Sequence, residues 1–350
     1  MKIGNREIGS GHAPFIIAEI GANHNGEMNL AKALIDKAVE AGADCVKFQS
    51  WSKQSIFSKI VYEQNYFLGD DYRNRTDFTL AQIVEKYALK PEQLVELKSY
   101  CDTKKVIFSS SPFSKPEVDL LADTLDVDFI KIASMDCTNF PFLEYVAKKK
   151  KPIILSTGFA TMSELTKAVE TIEAAGQREI CILHCVSNYP PKDYNVNLNN
   201  IQTIQSLFPD HPVGFSDHSL GTCIPLAAIA KGAAVVEKHF TLDKNMFGWD
   251  HKISADFSEL KTLVDDAKRV TAALGSHRRK LTSDDHERIP AFRRSIVTAK
   301  SVKKGEKITW EHLDFKRPGS GLAPEMAAWI VNSEAKRDIA ADELLKREDF

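Results

Sequence analysis

Two histidines in the chain, His218 and His239, each close a short polar cluster that follows an apolar run, SDH at 216–218 and EKH at 237–239. Two imidazoles with carboxylates nearby suit a divalent cation and leave coordination positions for substrate and water. Spacing alone leaves each open to the plainer reading of a hydrogen-bonded core or surface histidine. A second group has anion chemistry. Lys47 and Lys131, with hydroxyls at Ser134, Ser156 and Ser216, offer the charge and donors that a phosphate or carboxylate needs. Glu19 and Asp136 are carboxylates placed like the others, just where an apolar run ends.

The elements that carry these residues repeat. Short apolar, β-rich runs fall at Phe15–Ile20, Cys45–Gln49, Val106–Ser111, Phe129–Ser134, Ile153–Thr157, Ile180–Val186, Val213–Asp217 and Ala234–Phe240. Their near-continuous apolar character is that of parallel strands covered on both faces. Helical patterns lie between them. One over 30–41 stops at Gly42, one opens at Pro91, and one over 257–274 stops at Gly275. Eight such units predict an α/β fold, a (β/α)8 TIM barrel. An open doubly wound sheet gives no reason for eight. The polar residues then stand at the C-terminal ends of strands, where barrels of this kind keep their chemistry. Glu19, Gln49, Ser109–Ser111, Thr157, His184, Ser187, Asp217 and Lys238 fill the remaining ends. Packing does not explain polar residues at all of them, because unpaired buried polar groups are costly.

After Gly275 the pattern changes. The polar stretch at 277–292 reads as a linker between a domain over 1–276 and a small, mainly β module over 293–350. Between Ser50 and Asp77 lies an irregular insertion rich in aromatics: Trp51, Tyr62, Tyr66, Phe67 and Tyr72. Insertions this long are either functional or simply packed.

Composition limits the partners. A formal net charge of −2 gives no reason to expect nucleic acid or an anionic membrane. No apolar run approaches the length of a membrane span, and the first residues lack a signal-peptide core. The six scattered cysteines, without a CxxC, read as free thiols. These features predict a cytoplasmic protein.

The strand ends read together resemble the sialic acid synthase family, the nonulosonic acid synthases that condense phosphoenolpyruvate. The matching phrases are IIAEIGANHNG at 16–26, VKFQ at 46–49, FSSSPFS at 108–114, IKIAS at 130–134, KPIILSTG at 151–158, LHCVSNYP at 183–190, GFSDHS at 214–219 and EKHFTLDK at 237–244. The tail from Arg293 to Gly321 is similar to the antifreeze-like SAF domain joined to these barrels. The resemblance implies a divalent metal on His218 and His239, manganese first, with magnesium and cobalt as alternatives. It implies contacts to phosphoenolpyruvate from Lys47, Lys131, Ser134, Ser156 and Ser216. Glu19, Asp136 and Lys131 would be catalytic. Gln49, Ser187, Tyr189, Asp250 and Arg317 would face an acetamido-sugar aldehyde such as N-acetylmannosamine. Arg317 would reach the partner subunit's site in a domain-swapped homodimer.

Two positions depart from the N-acetylneuraminate synthases of the family. Ser187 stands where several have asparagine, and Trp249 where proline is usual. These leave open a 2,4-diacetamido-2,4,6-trideoxy hexose, the precursor of legionaminic or pseudaminic acid. Barrels that use a phosphorylated aldose lack an SAF module. A sugar-binding SAF protein without activity would not need the strand-end residues.

Overall fold

The structure, a computed structural model, describes residues 1–65 and 77–350. Tyr66, Phe67 and Tyr72 of the insertion lie outside the described residues. Eight parallel strands run in chain order: β1 Phe15–Gly21, β2 Cys45–Ser50, β3 Ile107–Pro112, β4 Ile130–Ile132, β5 Ile153–Ser156, β6 Ile180–Cys185, β7 Val213–Asp217 and β8 Val235–His239. Ladder pairing follows β3-β2-β1-β8-β7-β6-β5-β4. Across the β3/β4 seam Ser109 Oγ donates to Phe129 O at 3.0 Å. Helices connect the strands and cover the sheet, giving the TIM barrel that the eight apolar runs predict.

Alternation along each strand divides the apolar residues into two layers. Phe15, Ile17, Cys45, Phe129, Ile154, Cys181, Leu183 and Val235 fill the barrel interior. Their neighbours Ile16, Val46, Ile130, Ile153, Ile182 and Val236 face the helices. An N-terminal hairpin that the sequence did not reveal, Lys2–Ile3 against Arg6–Glu7, brings Ile3 and Ile8 into the interior cluster. The lower barrel is therefore packed with apolar side chains, and polar groups occupy only its upper half.

The helix Met28–Ala41 ends at Gly42, whose left-handed φ of 90° carries the cap N–H back to Ala38 and Val39. The described part of the insertion carries two short helices, Lys53–Ile56 and Lys59–Gln64. Trp51 is buried with Leu80, Ile83, Val84 and Tyr87.

The chain divides into two compact units, Met1–Gly275 and Ser276–Phe350. The stretch read as a linker contains a helix, Ser283–Phe292, started by Thr282, which accepts from Asp285 N–H. Polar composition hid it, because all its side chains are exposed or nearly so. The second unit pairs β9, Ser295–Thr298, with β10, Leu313–Lys316, around Ile296, Val302, Ile308, Ile330, Ile339 and Leu345. Ser295 Oγ donates to Pro318 O and accepts from Gly321 N–H, which fixes the turn after Arg317. Among the described residues no helix is long and apolar enough to cross a membrane.

Candidate active site

Alternation decides which strand-end residues reach the barrel mouth. On β8, Val235 points inward and Val236 outward, so Glu237 and His239 point inward and Lys238 outward. Lys238 is accordingly buried in the outer layer, donating to Asp217 Oδ2 at 2.6 Å and Ser219 O at 2.7 Å. His184 faces the same way, with Nε2 2.6 Å from Val196 O. Ser50 and Ser110 bond one another there at 2.7 Å. These polar residues brace the strand–helix layer and take no part in the mouth.

The inward residues form one connected network. Lys47 lies 2.5 Å from Glu19 Oε2, donates to Ser111 Oγ at 3.0 Å and sits 3.7 Å from Glu237 Oε2. Lys131 lies 3.3 Å from Glu237 Oε1, and Ser216 Oγ donates to the same oxygen at 3.1 Å. Gln49 Nε2 donates to Glu19 Oε1 at 2.8 Å. Both lysines are at most 3% exposed. Burial favours the neutral form of any carboxyl. It dominates at Glu19, pushed up to about 7 against the opposing pull of Lys47. At Glu237 burial is outweighed by Lys131 and Lys47 together, and the carboxylate is held at about 2. The two glutamates are therefore pushed in opposite directions, Glu19 toward its neutral form by burial and Glu237 toward its ionised form by the two lysines.

Around this network stand groups with unused capacity. Ser156 Oγ is buried without a hydrogen-bond partner. Ser134 and Ser187 hydroxyls lie 3.0 Å apart, and Gly158 presses its backbone against both. A Cβ there would come within 2.1 Å of Ser134 Cβ and 2.8 Å of Ser187 Oγ, so only glycine fits. The hydroxyls and backbone of this corner can cradle a small anion.

His218 and His239 converge at the mouth with ring centroids 5.5 Å apart. His218 Nδ1 faces Val186 O at 2.9 Å, so Nε2 is the nitrogen that could hold a metal. His239 Nδ1 is buried with no hydrogen-bond partner, and its nearest carboxylate, Asp250 Oδ2, is 3.8 Å away. Burial, reinforced by His218 and Lys47, holds His239 well below its ordinary range, so its nitrogen keeps a free lone pair. Asp250 is pushed up to about 6 by burial, with His218 opposing. The Tyr189 ring lies 4.1 Å from that of His218. An orphaned imidazole nitrogen beside a second imidazole and a carboxylate fits a divalent cation. Among the described residues no three His, Cys, Asp or Glu side chains converge as a complete ligand set.

The NeuB family profile matches residues 34–279, and the SAF domain profile matches 293–350. The chain belongs to the NeuB family.

Its relatives in that family match along their whole length. An N,N'-diacetyllegionaminic acid synthase of Campylobacter jejuni is 38% identical over 95% of this chain and 98% of its own. A pseudaminic acid synthase of the same organism is 35% identical over 100% of both. The crystal structure of a Leptospira borgpetersenii N-acetylneuraminic acid (sialic acid) synthetase in complex with citrate superposes with a TM-score of 0.74. It is 34% identical and covers 83% of this chain and 94% of that one.

Within this NeuB-family barrel, Glu19, Lys47, Gln49, Lys131, Ser216, His218, His239 and Asp250 stand in contact or near it. Asp136 is half-buried in the turn Ser134–Asp136, where its Oδ1 accepts from Asn139 Nδ2 at 3.0 Å. Among the described residues no hydrogen bond or ion pair ties it to the Lys47–Glu237 network. Arg317 lies in the second unit, its guanidinium 5.3 Å from the centre of the Phe292 ring. Glu237, within the EKH cluster at 237–239, is the functional residue that sequence reasoning misses. Counting by twos from Val235 puts it on the face of His239, and that was the available signal.

Proposed function

We propose that this protein is a nonulosonic acid synthase that joins phosphoenolpyruvate to an open-chain acetamido-sugar aldehyde. C3 of phosphoenolpyruvate bonds to the aldehyde carbon. A water oxygen adds to C2 as cationic character develops there. The C2–O bond to phosphate then breaks, so inorganic phosphate leaves with the bridging oxygen. The observation that carries this reading is the pair of buried lysines sharing one carboxylate, Glu237. Two ammonium groups held against Glu237 at the barrel mouth favour an anionic substrate.

The residues divide the work. Lys47 and Lys131 neutralise the carboxylate of phosphoenolpyruvate. Ser134, Ser156 and Ser216 donate to it and to the phosphate, Ser156 through its unused hydroxyl. Glu19 accepts the proton of the attacking water, a role that suits a carboxyl poised near neutral pH. Glu237 opposes charge developing at C2. Asp136, with its carboxyl raised by burial, is the second candidate for the proton. Gln49, Ser187, Tyr189 and Asp250 face the sugar. His218 and His239 hold a divalent metal, manganese first, which when bound supplies Lewis-acid polarisation of the aldehyde. The active unit is a homodimer in which Arg317 completes the site of the partner subunit.

The sugar choice is set by Trp249 and Ser187. Trp249 rests against Trp51 and Tyr87, with ring centroids 6.5 and 6.3 Å away. That aromatic wall beside Asp250 favours a deoxygenated, acylated sugar over one with a full set of hydroxyls. A 2,4-diacetamido-2,4,6-trideoxy hexose is therefore placed ahead of N-acetylmannosamine. The test is phosphate release from phosphoenolpyruvate labelled in its bridging oxygen, over a panel of acetamido sugars. Label should leave with phosphate, and chelation should stop turnover until manganese is returned. Label kept in the sugar acid would refute C–O cleavage, and full turnover after exhaustive chelation would refute the metal.

A further inference from the structure

The segment between β8 and the helix Phe257–Leu274 carries Asp250, and it is pinned by hydrogen bonds to the loop after β1. His251, 1% exposed, bridges two strand-end loops with its ring. Nδ1 lies 2.7 Å from Thr241 Oγ1 and Nε2 lies 3.2 Å from Asn25 Oδ1. Asn25 Nδ2 donates to Phe247 O at 3.0 Å, which turns its oxygen toward the ring. Nε2 therefore donates to Asn25, and Nδ1 shares the Thr241 hydroxyl with Asp243 O, 3.1 Å from Oγ1. On the other side Asn23 Nδ2 donates to Ser254 Oγ at 2.8 Å, and Ser254 Oγ donates to Asp250 O at 2.7 Å. Gly248 closes on the ring so tightly that a Cβ would sit 2.5 Å from His251 Cδ2. Asp250 is thus fixed by its immediate neighbour, which is itself fixed to β1's loop 226 residues away in sequence.

We propose that His251 is a positioning residue of the condensation, which sets the Asp250 carboxylate beside His239 and so governs use of the sugar but not of phosphoenolpyruvate. The inference rests on Asp250 being a sugar-side group, as proposed above. Asp250 has no covalent reason to stay 3.8 Å from His239, since it sits in a loop and not on a strand. The bridge from Thr241 to Asn25 supplies that reason. Polar atoms buried in such a bridge are costly to leave unpaired, so the arrangement is held as a unit.

The test uses the full chain and a double-mutant cycle between His251→Ala and Asp250→Asn, with phosphate release as the readout. His251→Ala should raise the sugar KM about tenfold, the scale expected for a displaced binding group. The KM for phosphoenolpyruvate should stay within about twofold, as no phosphoenolpyruvate contact is disturbed. In the Asp250→Asn background the same change should cost almost nothing. Thr241→Val keeps the shape and removes the hydroxyl, and should give a smaller version of the same pattern, even where His251→Ala does not fold. Equal losses for both substrates, or full additivity with Asp250→Asn, would overturn the positioning role. If the unchanged chain releases no phosphate with any acetamido sugar, the functional reading itself fails and this inference with it.

Discussion

Glu237 is the residue on which the charge balance of the barrel mouth turns. Two lysines are buried against it, and ammonium groups out of water need a counter-charge. Glu237→Gln keeps the shape and removes the charge. The free protein should lose stability, by about 3 kcal/mol if the pair behaves like other broken buried pairs. Phosphoenolpyruvate brings its own negative charge, so it should raise the melting temperature of the variant more than that of the unchanged protein. Thermal shift with and without phosphoenolpyruvate measures both effects. Equal shifts would show that the anion binds elsewhere. A second residue gives a pH signature. His24 is fully buried, its Nδ1 accepts from Gly26 N–H at 3.0 Å, and burial lowers it from 6.5 to about 4. Between those values the unfolded chain binds more protons than the folded one. Stability should therefore fall as pH drops from 6.5 toward 4, by roughly 3 kcal/mol from this group. Asn at position 24 keeps an acceptor at the δ position and cannot titrate. His24→Asn should flatten that part of the urea-midpoint profile, and an unchanged slope would assign the loss to other groups.

At the scale of elements, the segment after β8 is tied to the insertion after β2 by aromatic side chains. Trp249, with Trp51 and Tyr87, belongs to an aromatic cluster that also takes in Phe113, and Phe78 stacks on Phe247 with centroids 6.2 Å apart. The Asp250 segment and the insertion after β2 are thereby joined through side chains. Trp249→Ala should cost roughly 2 kcal/mol, about half the usual loss for a fully buried tryptophan because this one is half-buried. It should also weaken the preference for a diacetamido sugar, read as the ratio of kcat/KM between two sugars. A lowered stability with an unaltered ratio would make the cluster structural only. The strands themselves were legible in sequence because their apolar runs are continuous and end at polar clusters. Seven of the eight apolar runs match strands to within one residue at each end. β4 is shorter than its run, Ile130–Ile132, because Ser134 and Asp136 turn into a 3-10 helix. What was not legible was direction. Glu237, Lys238 and His239 look alike as a polar run, and only alternation against Val235 sends Lys238 to the outer layer. Nor could spacing show that Asn25 meets His251, since that contact is made by barrel closure between β1 and β8.

At the scale of the whole molecule the question is whose site Arg317 serves. Its side chain is exposed, outside the second unit's core, and rests over Phe292, itself 60% exposed. An arginine and an aromatic ring held together at the surface are poor structural elements and good contact groups. The turn that follows is fixed by Ser295, so Arg317 is not needed to brace it. A guanidinium suits two-point contact with a carboxylate or an acetamido oxygen. In a two-fold dimer with exchanged second units, each barrel would be completed by the other chain's Arg317. Mixing Arg317→Ala with His239→Ala, each inactive alone, distinguishes the arrangements. If the site is shared, a mixed dimer has one doubly damaged site and one intact site. With equal amounts and random pairing, half of the dimers are mixed, and about a quarter of full activity should return. If Arg317 serves its own barrel, each site keeps one lesion and nothing returns. No recovery, with mixed dimers demonstrated by a mass tag on one chain, would reject the exchange and return Arg317 to its own subunit.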